Sequence, residues 1–405
     1  NYNLGNLNVQ NLDLFLNNLN FYSNDINFKK LNKNISIKGD IENKILEIND
    51  ENIELLIKPY FSNFNLNKLK FASKNIFSLN LSEKFQLKNL SFKSDIEINE
   101  LSLLNDFKIK NFFPKIKKDI KFTDYKLNID YKDKDFILKG NGAIQLQNNK
   151  DEIKFLIDKK KTNYNFETSI KIKDNPILID SLNYKKGENS EALINLNGKK
   201  IFKSKTIFNL INYREKNNSF KIKDLIFDKN FKILNLTKFE TSYLDNENNK
   251  NIFRVTSKKN DYQLDGSLFN ASKLIDNMIE DDTEKKFIKD DFKINIQIDK
   301  LILDEKNFVK KFKGDLIFQN NEIIQGNLTG LFSKNKKIIF TVKAVDDEKI
   351  TTLFLDKAET IVSRYKFIKG FKEGVLDFYS TKKGKVSNST LKIYDFKLKE
   401  LPALT

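Results

Sequence analysis

The side chains that most often carry catalysis are missing from this sequence. It contains no His, no Cys, no Trp and a single Met, against 36 Phe and 13 Tyr. Without His or Cys there is no Ser-His-Asp or Cys-His nucleophile, no zinc site of the usual nitrogen and sulfur kind, and no disulfide. Zero Cys is neutral about the redox compartment. Carboxylates remain, and the densest run of them is DNMIEDDTEKK, where Asp281 and Asp282 could in principle do two-carboxylate glycosidase chemistry. A charged run at a helix end is ordinarily solvated surface. The reading is therefore a protein that is not an enzyme, with no catalytic residues, no metal and no cofactor.

The chemistry that the sequence does supply is apolar contact at a regular spacing. FKINIQID puts Phe292, Ile294, Ile296 and Ile298 on one face of a strand, and Lys293, Asn295, Gln297 and Asp299 on the other. The same alternation sets Phe92, Ile96 and Ile98 together in LSFKSDIEI and Leu127, Ile129 and Tyr131 together in YKLNIDY. Phe166, Ile170 and Ile172 follow in YNFETSIKI, and Leu376 and Phe378 in GVLDFYS. These residues are the candidates to line a surface that takes up acyl chains.

The elements that must position them are strands joined by Asn, Asp, Lys and Gly turns. A loose unit with a central glycine recurs in SIKGDIE, ILKGNGAI, QLDGSLF and KFKGDLIF, at Gly39, Gly140, Gly266 and Gly314. Its spacing is too irregular for a solenoid, so these glycines read as strand kinks or bulges. Helices are few. DKAETIVSRYKFIKG predicts one near 357–369, with Asp356 as cap, Glu359 three residues on, and Ala358, Ile361, Val362 and Tyr365 as an apolar stripe. NASKLIDNMIEDD predicts another near 271–280, capped by Asn270 with Leu274, Ile275, Met278 and Ile279 as its stripe. DFKIKNFFPKIKKDI offers a third candidate near 106–120. Roughly 25 strands in one antiparallel sheet would extend on the order of 120 Å at about 4.8 Å per strand, too far to stay open and flat. The expected fold is mainly β: a long, strongly twisted and curved antiparallel sheet forming an apolar, taco-like groove, with a few short amphipathic helices. Two packed sheets are the alternative.

The net charge of +17 suggests nucleic acid, but the basic residues are nearly all Lys, with Arg only at Arg214, Arg254 and Arg364, and they are scattered singly. Arg is the residue that forks onto phosphates and reads bases, so no nucleic-acid partner is expected. No stretch approaches the roughly 18 apolar residues of a membrane span. Asn1 is neither an initiator Met nor the start of a signal-peptide pattern, so the start is expected to be an excision from a longer chain.

One stretch resembles a known family. GSLFNASKLI, then FKINIQIDKLILDEKNFVKKFKGDLIF, LTGLF, LFLDKAETIVSRYKFIKGFKEGVLDFYS and GKVSNSTLKIYDFKLKELPAL resemble the C-terminal region of AsmA-like proteins, nearest the YhdP type. Asp356 and Ala358 fit the family's helix entry, and Gly374 and Leu376 its following strand. Asp395, Phe396, Pro402 and Leu404 fit its closing motif. The chain departs from the pattern at Glu359, at Lys372 and Glu373 beside a single Gly374, and at Leu401 before Pro402. Residues 1–265 share only the texture of alternating strands, and the division expected is therefore 1–265 as an extended β region and 266–405 as an AsmA-like C-terminal region cut inside its closing motif. Tyr394 and Asp395 are expected at a bulge or twist, because Leu391 and Ile393 fall on one face and Phe396 and Leu398 on the other.

The resemblance implies a bridge-like lipid transporter of the Gram-negative envelope. Such a protein sits in the periplasm, is held to the inner membrane by an anchor that would lie outside this chain, and passes phospholipids along a hydrophobic groove toward an outer-membrane partner. A 16-carbon chain crossing water exposes about 13 kcal/mol of hydrophobic cost at about 0.8 per methylene, and a continuous apolar face removes most of it. Lys on the outer face and rim would attract anionic headgroups at about 1 kcal/mol each. The alternative function is a structural envelope scaffold, or an outer-membrane protein assembly factor, with a filled interior.

Overall fold

The computed structural model describes residues 5–17, 19–48, 52–53, 65–104, 109–230, 232–258, 261–279, 291–319, 322–364, 368–384 and 386–399. The fold is mainly β, and the chain divides into two units, Asn1–Leu178 with Lys186–Lys216, and Ile179–Lys185 with Asn217–Thr405.

The first unit holds β1 (Asn6–Leu16), β2 (Leu19–Leu31), β3 (Asn34–Ile48), β4 (Leu66–Ser82), β5 (Leu87–Leu104), β6 (Asp119–Lys132), β7 (Asp135–Gln145), β8 (Asp151–Lys160) and β9 (Asn163–Ile172). The short strands β10 (Ile177–Ile179) and β11 (Tyr184–Lys186) fall where the chain passes between the units, and β12 (Ala192–Ile201) and β13 (Lys205–Glu215) complete the first unit. From β1 to β9 each strand pairs antiparallel with the next, and β9 then pairs with β12, and β12 with β13.

The second unit holds β14 (Asn218–Phe227), β15 (Ile233–Leu244), β16 (Lys250–Lys258), β17 (Asp261–Asn270), helix α1 (Ser272–Ile279), β18 (Phe292–Ile302), β19 (Phe308–Gln319) and β20 (Glu322–Leu331). It ends with β21 (Lys337–Val345), β22 (Glu348–Leu355), helix α2 (Glu359–Arg364), β23 (Phe371–Lys383) and β24 (Val386–Leu398). These strands also pair in chain order, and β24 has β23 as its one partner among the described residues, so the ladder does not close into a barrel.

Two expectations need correction. The sheet is mixed and not purely antiparallel, because β17 and β18 pair in parallel. The stretch between Asn270 and Phe292 is long enough for the crossover that a parallel pair requires. The two units meet along the chain at residues 216 and 217, and Gly266 lies inside β17, which is hydrogen-bonded on both sides to β16 and β18. In the third helix candidate, residues 109–118 form turns and bends and Asp119 begins β6; its first residues, 106–108, lie outside the described set. Pro114, which lacks a backbone N–H, and the strand pattern from Asp119 onward outweigh the weak helical periodicity there. The described part of the helix near 357–369 is Glu359–Arg364, and Tyr365 lies outside the described residues.

The expected caps are met in part. The side-chain oxygen of Asn270 accepts from Ser272 N at 3.1 Å, capping α1 as expected. The side chains of Met278 and Ile279 are outside the described set, as are Asp281, Asp282, Leu401, Pro402 and Leu404. Asp356 and Glu359 form no capping box; Asp356 accepts from Lys337 N at 2.7 Å, and Glu359 from Lys372 Nζ at 2.9 Å. Asp356 thus ties the segment before α2 to β21, and Glu359 ties α2 to β23. Of the four glycines, Gly39 and Gly266 pair at register shifts in their ladders, and Gly140 and Gly314 each lie one residue from such a shift. At Gly314 the need for glycine is steric: φ is +150° and an added Cβ would sit 1.8 Å from the Asn327 carbonyl oxygen.

Candidate functional site

In the first unit, register converts single-strand alternation into cross-strand rows. Ile96, Leu127, Gly140, Phe155, Thr168, Leu196 and Ile211 stand opposite one another in turn from β5 to β13. Ile129, Leu138, Ile157 and Phe166 form a second row. Phe92 stacks on Tyr131 with ring centroids 4.8 Å apart. Gly140 makes room for its neighbours, since an added Cβ would lie 2.7 Å from the Phe155 ring and 2.8 Å from Leu127. The candidates Phe92, Ile96, Leu127, Ile129, Tyr131, Phe166 and Ile170 all fall on this one face and are half-buried. Ile98 and Ile172 differ, being 5% and 1% exposed, so they are packed core and not open lining. The face is interrupted near β4, where Ser73 donates to Asn43 Oδ1 and Asn75 Nδ2 to Ser73 Oγ.

The second unit carries a longer row. Ile222, Phe239, Val255, Leu264, Ile296, Gly314, Leu328, Phe340, Leu353, Phe378 and Leu391 are successive partners across its eleven strands. All are half-buried except Leu391 on the edge strand, which is exposed. A sheet face under a second packed layer would be buried at these positions. The candidates Phe292, Ile294 and Ile296 belong to this half-buried face, and Phe292 stacks on Phe318 at 4.5 Å.

Ile298 and Leu376 are fully buried, at 0% and 1% exposed, and Leu376 belongs to a cluster at one end of the strands. Val309, Phe332, Leu355, Ala358, Val362, Phe371 and Leu376 pack together there under α2. Ala358 N donates to the Gly374 carbonyl at 2.8 Å, and Phe371 stacks on Phe396 at 5.1 Å. Arg364 fastens the helices: its Nη2 donates to Ser272 O at 3.0 Å and to Asp276 Oδ1 at 2.6 Å, and its Nη1 to Leu303 O. Asp395 has φ of +54° and so supplies the expected irregularity in β24. Ala358, Gly374, Leu376 and Phe396, far apart in the sequence pattern, therefore meet at this helix-capped end.

Two polar clusters have the look of reactive sites but are structural. Lys186 is fully buried, and burial lowers its pKa, a combination that marks functional lysines. Its Nζ donates to the carbonyls of Lys173, Asn175 and Gly187 at 2.7, 2.8 and 2.9 Å, which uses all three of its protons. Nearby Asp151, its pKa raised by burial, accepts from Asn175 Nδ2 at 2.7 Å. In the second unit Asp245 Oδ2 accepts from Asn251 Nδ2 at 3.1 Å and Asn270 Nδ2 at 2.8 Å, closing a turn. Among the described residues no group of three or more acids could hold a metal ion, and no helix is long and apolar enough to cross a membrane.

Surface depressions occur on the opposite side of the alternation. One lies among Lys126, Lys139, Lys154 and Asn195, another among Gln297, Lys313 and Thr329, and both are lined mainly by polar-row residues. They converge on no reactive set. Sequence alternation found the strand faces but missed Phe155, Phe239, Phe340 and the helix-capped cluster, because which residues stand opposite one another depends on register. No protein-family model, no curated protein and no solved structure matches the chain, so its chemistry must be read from these two apolar faces and the capped end.

Proposed function

We propose that the chain is a segment of an AsmA-like, YhdP-like envelope protein that binds phospholipid acyl chains in a hydrophobic groove and supports lipid transport between inner and outer membranes. The observation that carries this reading is the apolar row crossing β14 to β24, half-buried on every strand but β24, where Leu391 is exposed. Such a row leaves apolar area unpaired with protein, and an acyl chain laid on it recovers about 0.8 kcal/mol per buried methylene. The work asks for no nucleotide, metal or catalytic base. The same reading places the chain in the periplasm of a Gram-negative bacterium, tied to the inner membrane through an anchor outside this chain, with an outer-membrane partner and no nucleic acid.

A photoreactive amino acid at position 296, followed by mass spectrometry of the crosslinked material, tests the proposal. Phospholipid adducts at 296 and none at 298 are expected, since Ile298 is fully buried. A purified protein with no co-isolated lipid and no adduct at 296 would instead favour a scaffold whose interior is filled by its own side chains.

A further inference from the structure

At the β24 edge of the second unit the same face changes character along the strands. Four rungs cross β22, β23 and β24. The rung nearest α2 is Leu355, Leu376 and Ile393, and the next is Leu353, Phe378 and Leu391. The third is Thr351, Ser380 and Ser389, and the fourth is Lys349, Lys382 and Ser387. The order is thus two apolar rungs, a hydroxyl rung and an ammonium rung, over about 20 Å at about 3.4 Å per residue. The hydroxyls are linked, Ser389 Oγ donating to Ser380 Oγ at 2.9 Å, with Ser380 and Ser387 Oγ 3.2 Å apart. Adjacent β21 stays apolar, with Ile338, Phe340, Val342 and Ala344 facing Leu355, Leu353, Thr351 and Lys349.

The gradient matches an anionic amphiphile in both order and length. A lipid leaflet contributes about half of the roughly 30 Å hydrocarbon core, so a tail directed at the capped cluster leaves its headgroup near the ammonium rung. Glu322 sits between the two lysines, its Oε2 2.7 Å from Lys349 Nζ and its Oε1 3.0 Å from Lys382 Nζ. Two ammonium groups share one carboxylate, which leaves a net positive charge where a phosphate would lie.

The geometry points to Lys349 and Lys382 as the headgroup subsite for a phosphate-bearing lipid, with its acyl chain directed toward α2. This rests on the acyl-chain reading above and adds orientation and headgroup chemistry to it. The test is calorimetric titration of the full chain with dodecyl phosphate, dodecanol and inorganic phosphate, the first two below their aggregation concentrations. Lys349→Ala and Lys382→Ala are each expected to weaken dodecyl phosphate about fivefold while leaving dodecanol within about twofold. Glu322→Gln, which frees both lysines, is expected to tighten dodecyl phosphate, an effect that loss of folding cannot produce. Equal loss of both amphiphiles in the lysine variants, no loss, or weaker phosphate binding in Glu322→Gln would overturn the subsite while leaving the acyl-chain reading intact. Competition by inorganic phosphate at equal concentration would also overturn it, by making the lysines a site for free anions. A wild-type protein that binds neither amphiphile would overturn the acyl-chain reading and the subsite with it.

Discussion

Ile296 and Ile298 are the same residue type, two positions apart on one strand and on one face, and they differ in what lies over them. Ile298 is 0% exposed and touches the β17 backbone closely enough that a Cβ on Gly266 would come within 3.0 Å of its Cδ1. Ile296 is half-buried. Ile298→Ala should therefore cost the transfer term for the lost methyl and methylene groups plus a cavity, about 3 to 4 kcal/mol. Ile296→Ala leaves a gap that solvent can fill and loses only part of the transfer term, about 1 kcal/mol. Native-state hydrogen exchange of amides in β18 and β19 measures both changes in the same element. A difference of about 2 kcal/mol or more, with Ile298→Ala the larger, is the expected result. Equal costs would mean that Ile296 lies under a packed layer, and the argument for an open apolar face would fail.

Arg364→Ala removes the donors that join α2 to α1 and to the Leu303 carbonyl, and should cost about 2 to 3 kcal/mol, read as faster exchange in Ser272–Ile279. Arg364→Lys should recover only part, since an ammonium cannot span that fork. Gly314→Ala should destabilise by more than about 2 kcal/mol because its Cβ would overlap the Asn327 carbonyl, whereas Gly187→Ala, with nothing within 4 Å, should stay within about 0.5 kcal/mol in urea unfolding. Hydrogen bonds from Lys349 and then Lys382 hold the Glu322 pKa down to about 2 from 4.5. A lowered carboxylate pKa stabilises the fold fully above the unfolded value, and the effect is lost as pH falls from about 4.5 toward 2. Stability of Glu322→Gln should accordingly show a shallower decline over that interval, and an unchanged slope would count against the ion-pair assignment.

Much of the fold is legible in the alternation. FKINIQID, YKLNIDY and YNFETSIKI become β18, β6 and β9 with their apolar residues on one face, because period two is a local property of extended backbone. The kink at Asp395, where φ is +54°, is equally local, a property of one residue's backbone. The third helix candidate misleads for the opposite reason: a short apolar run with a proline fits a turn as well as a helix, and contacts elsewhere decide between them. The unit boundary at residues 216 and 217 also leaves no mark in composition.

The sequence by itself determined which side chains share a strand face and which chemistry is unavailable, since both follow from residue type and from geometry within a few residues. Only the tertiary structure decided that Ile298 and Leu376 are sealed while Ile296 and Phe378 stay half-open. It also decided that Lys349, Lys382 and Glu322 meet at one end of a three-strand ladder. The physical reason is register: hydrogen bonds between strands set each residue's partner, and a slip of one position would send every side chain to the other face.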